Sequence, residues 1–392
     1  MSTVPEILKI AHALILIMSS SERILLIQKL EKLRGSKVIT LFLGTKPNMI
    51  TQIGNDALRY VYDHLEKIKK CENLDLFLYT IGGDTLVPHR LTRLLREFCG
   101  KFSVLIPSKA ASAGTLLCLG ADEIVMGKMG ELSPIDPTTA NPFNPTNPHD
   151  KSKVIPISVE DVSSFLALAE EKALLRGEDK TLEVFKDLTG PRELAIHPLA
   201  LGNVYRALRL IRDIAKKQLL LHFDQKEIAR INRIVQHLTE LIYSHQYLID
   251  RNELKKMELN IVEAESIATL DEIMWSLYKS YETEIDMLKP FDPSEIIAAQ
   301  PAPIQQATLP MNLNLQIPQG VSAQQAQQIL AQIQGQLSPP PVQVPFSNYA
   351  AFIESTEIAH GYKYTGKIIE LRKPDGTKEI NVEIKGYWEK IR

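Results

Sequence analysis

Apolar residues along the first part of the chain follow two alternating spacings. Four short apolar runs have the length of buried strands: residues 38–43, 74–81, 102–107 and 124–126. Between and after them, apolar residues recur every three or four positions, as on one face of a helix, at residues 55–70, 85–98 and 112–119. Strands that alternate with helices at this spacing build βαβ units. The pattern therefore predicts an α/β fold with a mostly parallel sheet and helices on both faces.

The pattern changes twice after this alternating region. Residues 159–281 have helical spacing almost throughout, and residues 291–346 are rich in Pro, Gln and Ala with few charges, which is typical of a linker. Residues 347–392 alternate polar and apolar positions around a turn at Pro374-Asp375-Gly376. We expect a small β-hairpin region there, packed on the main domain or on another subunit. The predicted organisation is a helical segment at 1–35, an α/β domain at 36–290 that includes the helical stretch, then this linker and this tail.

The apolar stretch at the N-terminus is too short to cross a membrane. It runs from Ile7 to Met18, about twelve residues, and contains Lys9 and His12, whereas a spanning helix needs roughly twenty apolar residues. Its spacing predicts an amphipathic helical hairpin over residues 5–34. Contact of this hairpin with a membrane or a membrane protein is an open alternative.

Composition places the chain among ordinary globular proteins. Its 392 residues are 44% hydrophobic and 23% charged, and the formal net charge of −2 argues against nucleic acid or an anionic membrane as the main partner. The three cysteines are an odd number without metal-ligand spacing, which favours free thiols and a cytoplasmic location. The sequence contains no phosphate-binding loop and no metal motif, so we expect neither a cofactor nor a metal.

Small residues follow two of the predicted strands at the point where each strand ends. Gly82 and Gly83 come directly after the second run, and Ser112 and Ala113 follow the third run at the start of a predicted helix. Because the carboxyl ends of parallel strands meet at one edge of a sheet, we expect these residues to lie close together. Glycines expose backbone N–H groups and a helix N-terminus favours negative charge, which together suit acyl transfer by a serine beside an oxyanion hole. Helix capping by Ser112 is the alternative role.

The order of several short motifs resembles the Clp protease/crotonase fold. Within that fold the chain looks most like the serine dehydrogenase proteinase family, which is related to signal peptide peptidase A and to the stomatin-associated membrane proteases. The matching motifs are Tyr79-Thr-Ile-Gly-Gly-Asp84, Ala111-Ser-Ala-Gly-Thr115, Ala121-Asp-Glu-Ile-Val-Met126 and Leu132-Ser-Pro-Ile-Asp-Pro137, with a weaker match at 244–254. The resemblance covers residues 36–140 well and residues 240–266 loosely, and it implies a Clp/crotonase-like domain of the same α/β class.

By this resemblance, Ser112 is the nucleophile of an enzyme that hydrolyses peptide bonds. The backbone N–H of Ala113, together with that of Gly82 or Gly83, would form the oxyanion hole. The resemblance also implies a homo-oligomer whose sites face an enclosed space, with peptides or proteins as substrates. Ser133, in the turn after the fourth run, is expected to make turn hydrogen bonds beside the site.

The general base is not part of these motifs. Clp-type proteases use a histidine, but the sequence has none between Ser112 and Asp136. Relatives of signal peptide peptidase A use a lysine some forty to fifty residues after the serine, and Lys151 and Lys153 lie roughly forty residues after Ser112. A lysine base needs burial or nearby positive charge to lower its pKa. Lys153 precedes the apolar run Val-Ile-Pro-Ile, so we expect it to be partly buried and prefer it to Lys151, with His245 as a further alternative.

The sequence thus predicts a cytoplasmic serine peptidase that works through a Ser112 acyl-enzyme, a backbone oxyanion hole and a lysine base. Two alternatives use the same fold. One is an inactive scaffold for protein binding or assembly, in which the base has been lost. The other is a crotonase-like enzyme that acts on an acyl-coenzyme A thioester. The sequence indicates no pocket for the adenine of coenzyme A.

Overall fold

The computed structural model describes most of the chain. The described residues are 20–135, 138–147, 149–171, 177–189, 196–241, 244, 247–300, 341–372 and 377–392. Several predictions lie outside them: the first part of the N-terminal hairpin (5–19), Asp136 and Pro137, His245, the central part of the linker (301–340) and the turn at Pro374-Asp375-Gly376. Among the described residues, no helix is both long enough and apolar enough to cross a bilayer.

The helices are named in chain order, beginning with α1 at residues 20–34. The other α-helices are α2 (Ala57–Ile68), α3 (Val87–Arg96), α4 (Ala113–Cys118), α5 (Val159–Glu171), α6 (Glu178–Thr189), α7 (Pro198–Leu219), α8 (Ile228–Gln236), α9 (Arg251–Lys256), α10 (Leu270–Ile285) and α11 (Pro293–Ala298). Short 3₁₀ helices lie at Gln225–Glu227 and Ala264–Ser266, and α8 continues into a π-helical turn at His237–Leu241.

Within the described part of the chain, the strands build one large sheet and three small ones. Their bounds are β1 (Lys37–Leu43), β2 (Cys71–Tyr79), β3 (Cys99–Ile106), β4 (Lys109–Ala110), β5 (Glu123–Met126), β6 (Glu131–Leu132), β7 (Thr138–Thr139), β8 (Thr146–Asn147), β9 (Asp150–Val154), β10 (Ile157–Ser158), β11 (Ile249–Asp250), β12 (Ile261–Glu263), β13 (Val342–Glu354), β14 (Ala359–Arg372) and β15 (Lys378–Lys390). The large sheet has eight strands in the order β12-β5-β3-β2-β1-β13-β14-β15. Strands β12 to β1 in this order are parallel, and β13, β14 and β15 are added antiparallel. The predicted α/β fold with a mostly parallel sheet is confirmed.

Neighbouring side chains along each strand point to opposite faces of this sheet. Leu41 and Leu76 face one layer of helices, which is built by α2, α3, α4, α7 and α8. Phe42 and Phe77 face the other layer, which is built by α1 and α10. All four side chains are fully buried, so the predicted covering of both faces by helices is confirmed.

The C-terminal tail contributes three strands to the large sheet. Its first strand, β13, begins at Val342, inside the stretch predicted as linker, and pairs antiparallel with β1, where Leu41 lies opposite Ile353. Phe352 and Ile353 are fully buried in the core. An apolar strand at this position covers the edge that β1 presents, which explains why the tail packs on the main domain.

A buried charge cluster fixes α1 to these strands. Arg23 is fully buried, and its guanidinium donates to both carboxylate oxygens of Glu354 at 2.8 and 3.0 Å. It also lies 5.0 Å from the ring centre of Tyr281 and 4.8 Å from that of Phe352. Burial alone would lower the pKa of Arg23, but Glu354 raises it, and the net shift is upward. Breaking a pair this deep would leave a buried charge, so α1, α10 and β13 are held together.

Candidate active site

Ser112 lies between β4 and α4 with an unusual backbone. Its φ of 52° and ψ of −111° place it in the positive-φ region that non-glycine residues rarely adopt. Although α4 begins at the next residue, the Ser112 side chain makes no capping hydrogen bond, so the alternative role as a helix cap is wrong. Among the described residues, the half-buried hydroxyl has no hydrogen-bond partner. A strained residue with an unengaged side chain is typical of a functional position.

The loop after β2 passes directly beside Ser112. A Cβ atom built on Gly82 would lie 2.9 Å from the Ser112 Cβ and 3.3 Å from its Oγ. A Cβ atom on Gly83 would lie 2.6 Å from the backbone nitrogen of Ile53. Both glycines also have positive φ angles, 112° and 145°. Only residues without a Cβ fit here, and the two loops meet at one edge of the sheet, as their places in the sequence predict.

Two backbone donors at this edge are unengaged. The Gly82 N–H donates to Thr80 Oγ1 at 3.0 Å, and the Gly82 carbonyl accepts from the Ile53 N–H at 2.7 Å. The N–H groups of Gly83 and Ala113 have no acceptor among the described residues. Ala113 is the first residue of α4, where a backbone donor has no partner within the helix. Of the three predicted oxyanion donors, Gly83 and Ala113 are therefore free, and Gly82 is occupied.

Thr80 ties the two loops together. Its N–H donates to the Lys109 carbonyl and its carbonyl accepts from the Ala111 N–H, both at 3.0 Å. Its fully buried side chain holds Gly82 and packs against Gly114, where a Cβ would lie 2.6 Å from Thr80 Cγ2. Thr80 was not among the predicted site residues. The available signal was a polar residue between an apolar run and two glycines, which by itself does not indicate a positioning role.

The hydroxyl groups of Ser133 and Thr115 support the backbone of Ser112. Ser133 Oγ accepts from the Ser112 N–H at 2.8 Å and donates to the Pro134 carbonyl at 2.9 Å. Thr115 Oγ1 donates to the Ser133 carbonyl at 2.8 Å and accepts from the Ser133 N–H at 3.2 Å. Both side chains are buried. The predicted turn hydrogen bond of Ser133 is present, and its contact with Ser112 makes it a positioning residue.

The predicted general bases lie on a two-stranded ribbon outside the large sheet. Lys151 and Lys153 belong to β9, which pairs with β8. Lys153 is 73% exposed, and its Nζ lies 3.1 Å from the Asp150 carboxylate. The expected partial burial of Lys153 is therefore wrong for the single chain, because the apolar run after it does not carry the lysine into the core. Among the described hydrogen bonds and ion pairs, neither lysine contacts Ser112.

Two buried histidines hold α2 against the C-terminal strands. His64 is fully buried, with Nδ1 2.8 Å from Ser355 Oγ and Nε2 3.1 Å from His360 Nδ1. Burial, with a contribution from His360, lowers the pKa of His64 to about 3. Burial also lowers the pKa of His360, so both rings are neutral near pH 7 and serve as packing groups. Within the described ranges, no cluster of three or more His, Cys, Asp or Glu side chains has the arrangement of a metal site.

The sequence is similar to one protein family and to two archaeal proteins. Residues 7–195 match the family described as ClpP-like SDH-type serine proteinases. The chain is 27% identical over 180 residues to the uncharacterized protein MJ1495 of Methanocaldococcus jannaschii, a match that covers 43% of this chain and 60% of that protein. It is 23% identical over 252 residues to the uncharacterized protein MJ0137 of the same organism, covering 61% of this chain and 73% of that protein. The chain thus spans less than two thirds of the length of MJ1495.

Proposed function

We propose that the chain is a serine peptidase that cleaves peptide bonds through an acyl-enzyme on Ser112, because residues 7–195 match the family of ClpP-like SDH-type serine proteinases. One observation carries the proposal. Ser112 has a strained backbone and a free hydroxyl, the loop of Gly82 and Gly83 packs against it, and the N–H groups of Gly83 and Ala113 have no acceptor among the described residues. A nucleophile held next to preorganised donors is what acyl transfer requires, whereas a packing serine has no need of the strain.

The proposed reaction has two stages. In the first, Ser112 Oγ attacks the carbonyl carbon of the scissile bond while a base accepts its proton, and the carbonyl oxygen becomes an oxyanion bound by the Gly83 and Ala113 N–H groups. The amine product leaves with the proton from the base, and an ester remains on Ser112. In the second, water attacks this ester while the same base accepts its proton, and the base then returns that proton to Ser112 Oγ as the ester bond breaks and the acid product leaves. Each oxyanion donor is expected to stabilise the transition state by about 3 kcal/mol.

We place the base at Lys153, with Lys151 as the alternative. A lysine base needs a site that is shielded from water and next to the nucleophile, so Lys153 must lose both its contact with Asp150 and its exposure to water before it can act as the base. Closure of the β8–β9 ribbon over a peptide, or its coverage by a second copy of the chain, would supply both changes. A homo-oligomer is therefore part of the proposal.

A cytoplasmic location is also part of the proposal. Cys71, Cys99 and Cys118 are all free thiols. Burial raises the pKa of Cys99 to about 12, so this thiol stays protonated. Three free thiols, two half-buried and one buried, support a reducing compartment.

The exposure of Lys153 favours a second function, a scaffold. The single chain has a positioned nucleophile and oxyanion donors, but the predicted base points into solvent. A protein with this geometry and no closing step would bind peptides without cleaving them. The scaffold and the peptidase share the fold and differ in whether Ser112 reacts.

A fluorophosphonate probe tests the proposal, because it labels only an activated serine. The assembled wild-type protein and Ser112→Ala are treated with the probe, and mass spectrometry identifies the labelled residue. We expect stoichiometric labelling at Ser112 in the wild type and none in the variant. Equal labelling of both proteins would exclude Ser112 as nucleophile. A wild type that binds peptides yet neither labels nor cleaves would establish the scaffold.

A further inference from the structure

A pocket built by the C-terminal strands opens at the same edge of the sheet as Ser112. The register places Leu43 of β1, Ala351 of β13, Tyr362 of β14 and Trp388 of β15 side by side, at the carboxyl end of β1. These four residues line a cavity of about 250 Å³. Ser112 and the loop after β2 follow strands that run parallel to β1, so the pocket and the candidate active site share one edge.

Three aromatic rings line this pocket and fix one another. The ring centre of Tyr362 lies 5.2 Å from that of Tyr364 at an interplanar angle of 89°, and 5.3 Å from that of Trp388 at 67°. The Tyr364 hydroxyl donates to the Ile50 carbonyl at 3.2 Å. Gly386 leaves the room that Tyr362 needs, because a Cβ there would lie 2.7 Å from the Tyr362 Cζ. The rings therefore present their π faces and edges in a fixed arrangement.

Among the described residues that line the pocket, Asp56 alone carries a charge. Its Oδ2 accepts from the Trp388 Nε1–H at 2.8 Å, which holds the exposed carboxylate against the aromatic group. Aromatic faces and a carboxylate both attract a cation. A neutral apolar occupant would instead remove water from the carboxylate without replacing its hydrogen bonds. The pocket therefore suits a basic group.

The size and position of the pocket indicate which basic group it takes. Small-molecule sites usually measure about 300–1,000 Å³, and the cavity of about 250 Å³ is large enough for one side chain. Its wall at residues 50–56 runs through Ile53, whose N–H donates to the Gly82 carbonyl at 2.7 Å and whose carbonyl accepts from the Asp84 N–H at 2.9 Å. One segment thus borders both the pocket and the loop after β2 with Gly82 and Gly83, which we call the oxyanion loop.

We propose that this pocket is a substrate subsite for the side chain of a lysine or arginine, at a fixed number of residues from the scissile bond. The inference rests on the peptidase function proposed for Ser112. It adds a preference for substrates with a basic side chain, which neither the nucleophile nor the oxyanion loop supplies. Strands β13 to β15 would then serve recognition as well as covering the edge of β1.

Cleavage of matched peptides tests the preference. The full chain digests peptides that differ only in the position of one lysine, or of norleucine as its uncharged counterpart, and mass spectrometry locates the cut. We expect kcat/KM to be about tenfold higher with lysine at one fixed position relative to the cut. Asp56→Asn, which keeps an acceptor for Trp388, should remove most of this preference. Asp63→Asn changes a carboxylate within α2, the helix that Asp56 precedes, but lies outside the pocket and should retain the preference.

Two cleavage results would overturn the subsite. One is equal cleavage of lysine and norleucine peptides at every position. The other is a lysine preference that survives in Asp56→Asn. Either result leaves the peptidase proposal intact, because cleavage itself is observed.

A binding measurement separates the subsite from the peptidase. The chain has two tryptophans, so Trp275→Phe leaves Trp388 as the fluorescent reporter. In a Ser112→Ala background, lysine peptides should change this fluorescence at about tenfold lower concentration than norleucine peptides. Lysine-selective binding by a protein whose wild type never cleaves would support the basic-group pocket and contradict the peptidase. Lysine amide that binds as tightly as the peptides would indicate a free-amine site and overturn the subsite.

Discussion

The edge of the sheet around Ser112 and the β8–β9 ribbon are built in opposite ways. At the edge, the buried hydroxyls of Thr80 and Ser133 hold the backbone, and Gly82 leaves no room for a side chain beside Ser112. On the ribbon, the two strands pair with each other, and the Lys153 side chain is 73% exposed with a single ion pair. One region is fixed by buried contacts, and the other faces water.

This difference shows which half of the proposed active site is complete in the single chain. Donors and a nucleophile that are already in place need no rearrangement in the transition state. A lysine base needs a site that is shielded from water, and the Lys153 side chain is 73% exposed. A peptide or a second copy must therefore complete the half that carries the base. Substitutions around Ser112 should lower activity in the single chain and in an oligomer alike. Substitutions on the ribbon should lower activity only where they affect Lys153.

Gly82→Ala should have the largest effect. The new Cβ would lie 2.9 Å from the Ser112 Cβ, at a φ of 112° that alanine rarely adopts. We expect kcat/KM for peptide hydrolysis to fall by about a thousandfold, because the nucleophile would be displaced from the oxyanion donors. Circular dichroism and thermal unfolding check that the sheet still forms.

Gly202→Ala is the matched control for this change. Gly202 lies in α7, and nothing lies within 4 Å of a Cβ built there. Alanine at this helical position should stabilise the fold by up to about 1 kcal/mol and leave peptide hydrolysis unchanged. Activity of Gly82→Ala equal to that of Gly202→Ala would mean that the loop does not pack against a reacting serine.

Lys153→Ala should lower activity next most, by about a hundredfold or more, as expected for loss of a general base. Lys151→Ala is the matched change on the same strand, and its kcat/KM should stay within about threefold of the wild type. Asp150→Asn should raise the rate of Ser112 labelling, because it removes the ion pair that holds Lys153 in water. Equal losses in the two lysine variants would reject Lys153 as the base.

Thr80→Val should cost about tenfold in kcat with little change in KM. Valine keeps the shape of threonine but leaves the Gly82 N–H without its acceptor, so the oxyanion loop loses its support. Thr80→Ser keeps the hydroxyl and should recover most of the rate. A loss of stability in Thr80→Val without a change in kcat would indicate a structural role only.

Acid should lower the free energy of unfolding through the buried His64 before it affects the β8–β9 ribbon. In the unfolded chain the pKa of a histidine is about 6.5. In the folded state, burial and His360 lower the pKa of His64 to about 3. The unfolded state therefore takes up the proton first, and stability is lost as pH falls from about 6.5 toward 3. We expect His64→Gln to reduce the loss of unfolding free energy between pH 7 and pH 5 by about 1–2 kcal/mol, as measured by urea unfolding.

The exposed His149 on the ribbon offers a comparison for this measurement. Hydrogen bonds from Ser152 and Lys153 lower the pKa of the adjacent Asp150, so the ribbon keeps its ion pair across this pH range. His149 is exposed and outside the core, so His149→Gln serves as the matched histidine change and should keep the loss of stability seen in the wild type. If His64→Gln and His149→Gln lose stability equally on acidification, the buried histidine is not the source.

The alternation of strands and helices was predictable because it depends on local periodicity. The same rule placed Gly82 and Ser112 at one edge, since both follow parallel strands. The pairing of β13 with β1 was not predictable, because it joins residues about three hundred positions apart, as in the hydrogen bond from the Glu354 N–H to Thr40 Oγ1. The support given by Thr80 was also hidden, since it depends on hydrogen bonds from a side chain to another loop.

The exposure of Lys153 shows a different limit of sequence patterns. The apolar residues after it indicated burial, and Ile157 is indeed buried. Whether a layer covers the preceding strand depends on tertiary packing, and β9 pairs with β8 outside the large sheet. The hydropathy of a segment indicates whether its burial is favourable, but it does not show whether a neighbouring element covers the segment.

The claim that Lys153 joins Ser112 only in the assembled, occupied protein is tested most directly by a crystal structure. The crystal would contain the assembled protein with a peptidyl phosphonate bound covalently to Ser112. The quantity to measure is the distance from Ser112 Oγ to Lys153 Nζ. We predict a distance within about 3.2 Å, with Lys153 released from Asp150 and a phosphonate oxygen between the Gly83 and Ala113 N–H groups. A bound inhibitor with Lys153 still in solvent and paired with Asp150 would contradict this account.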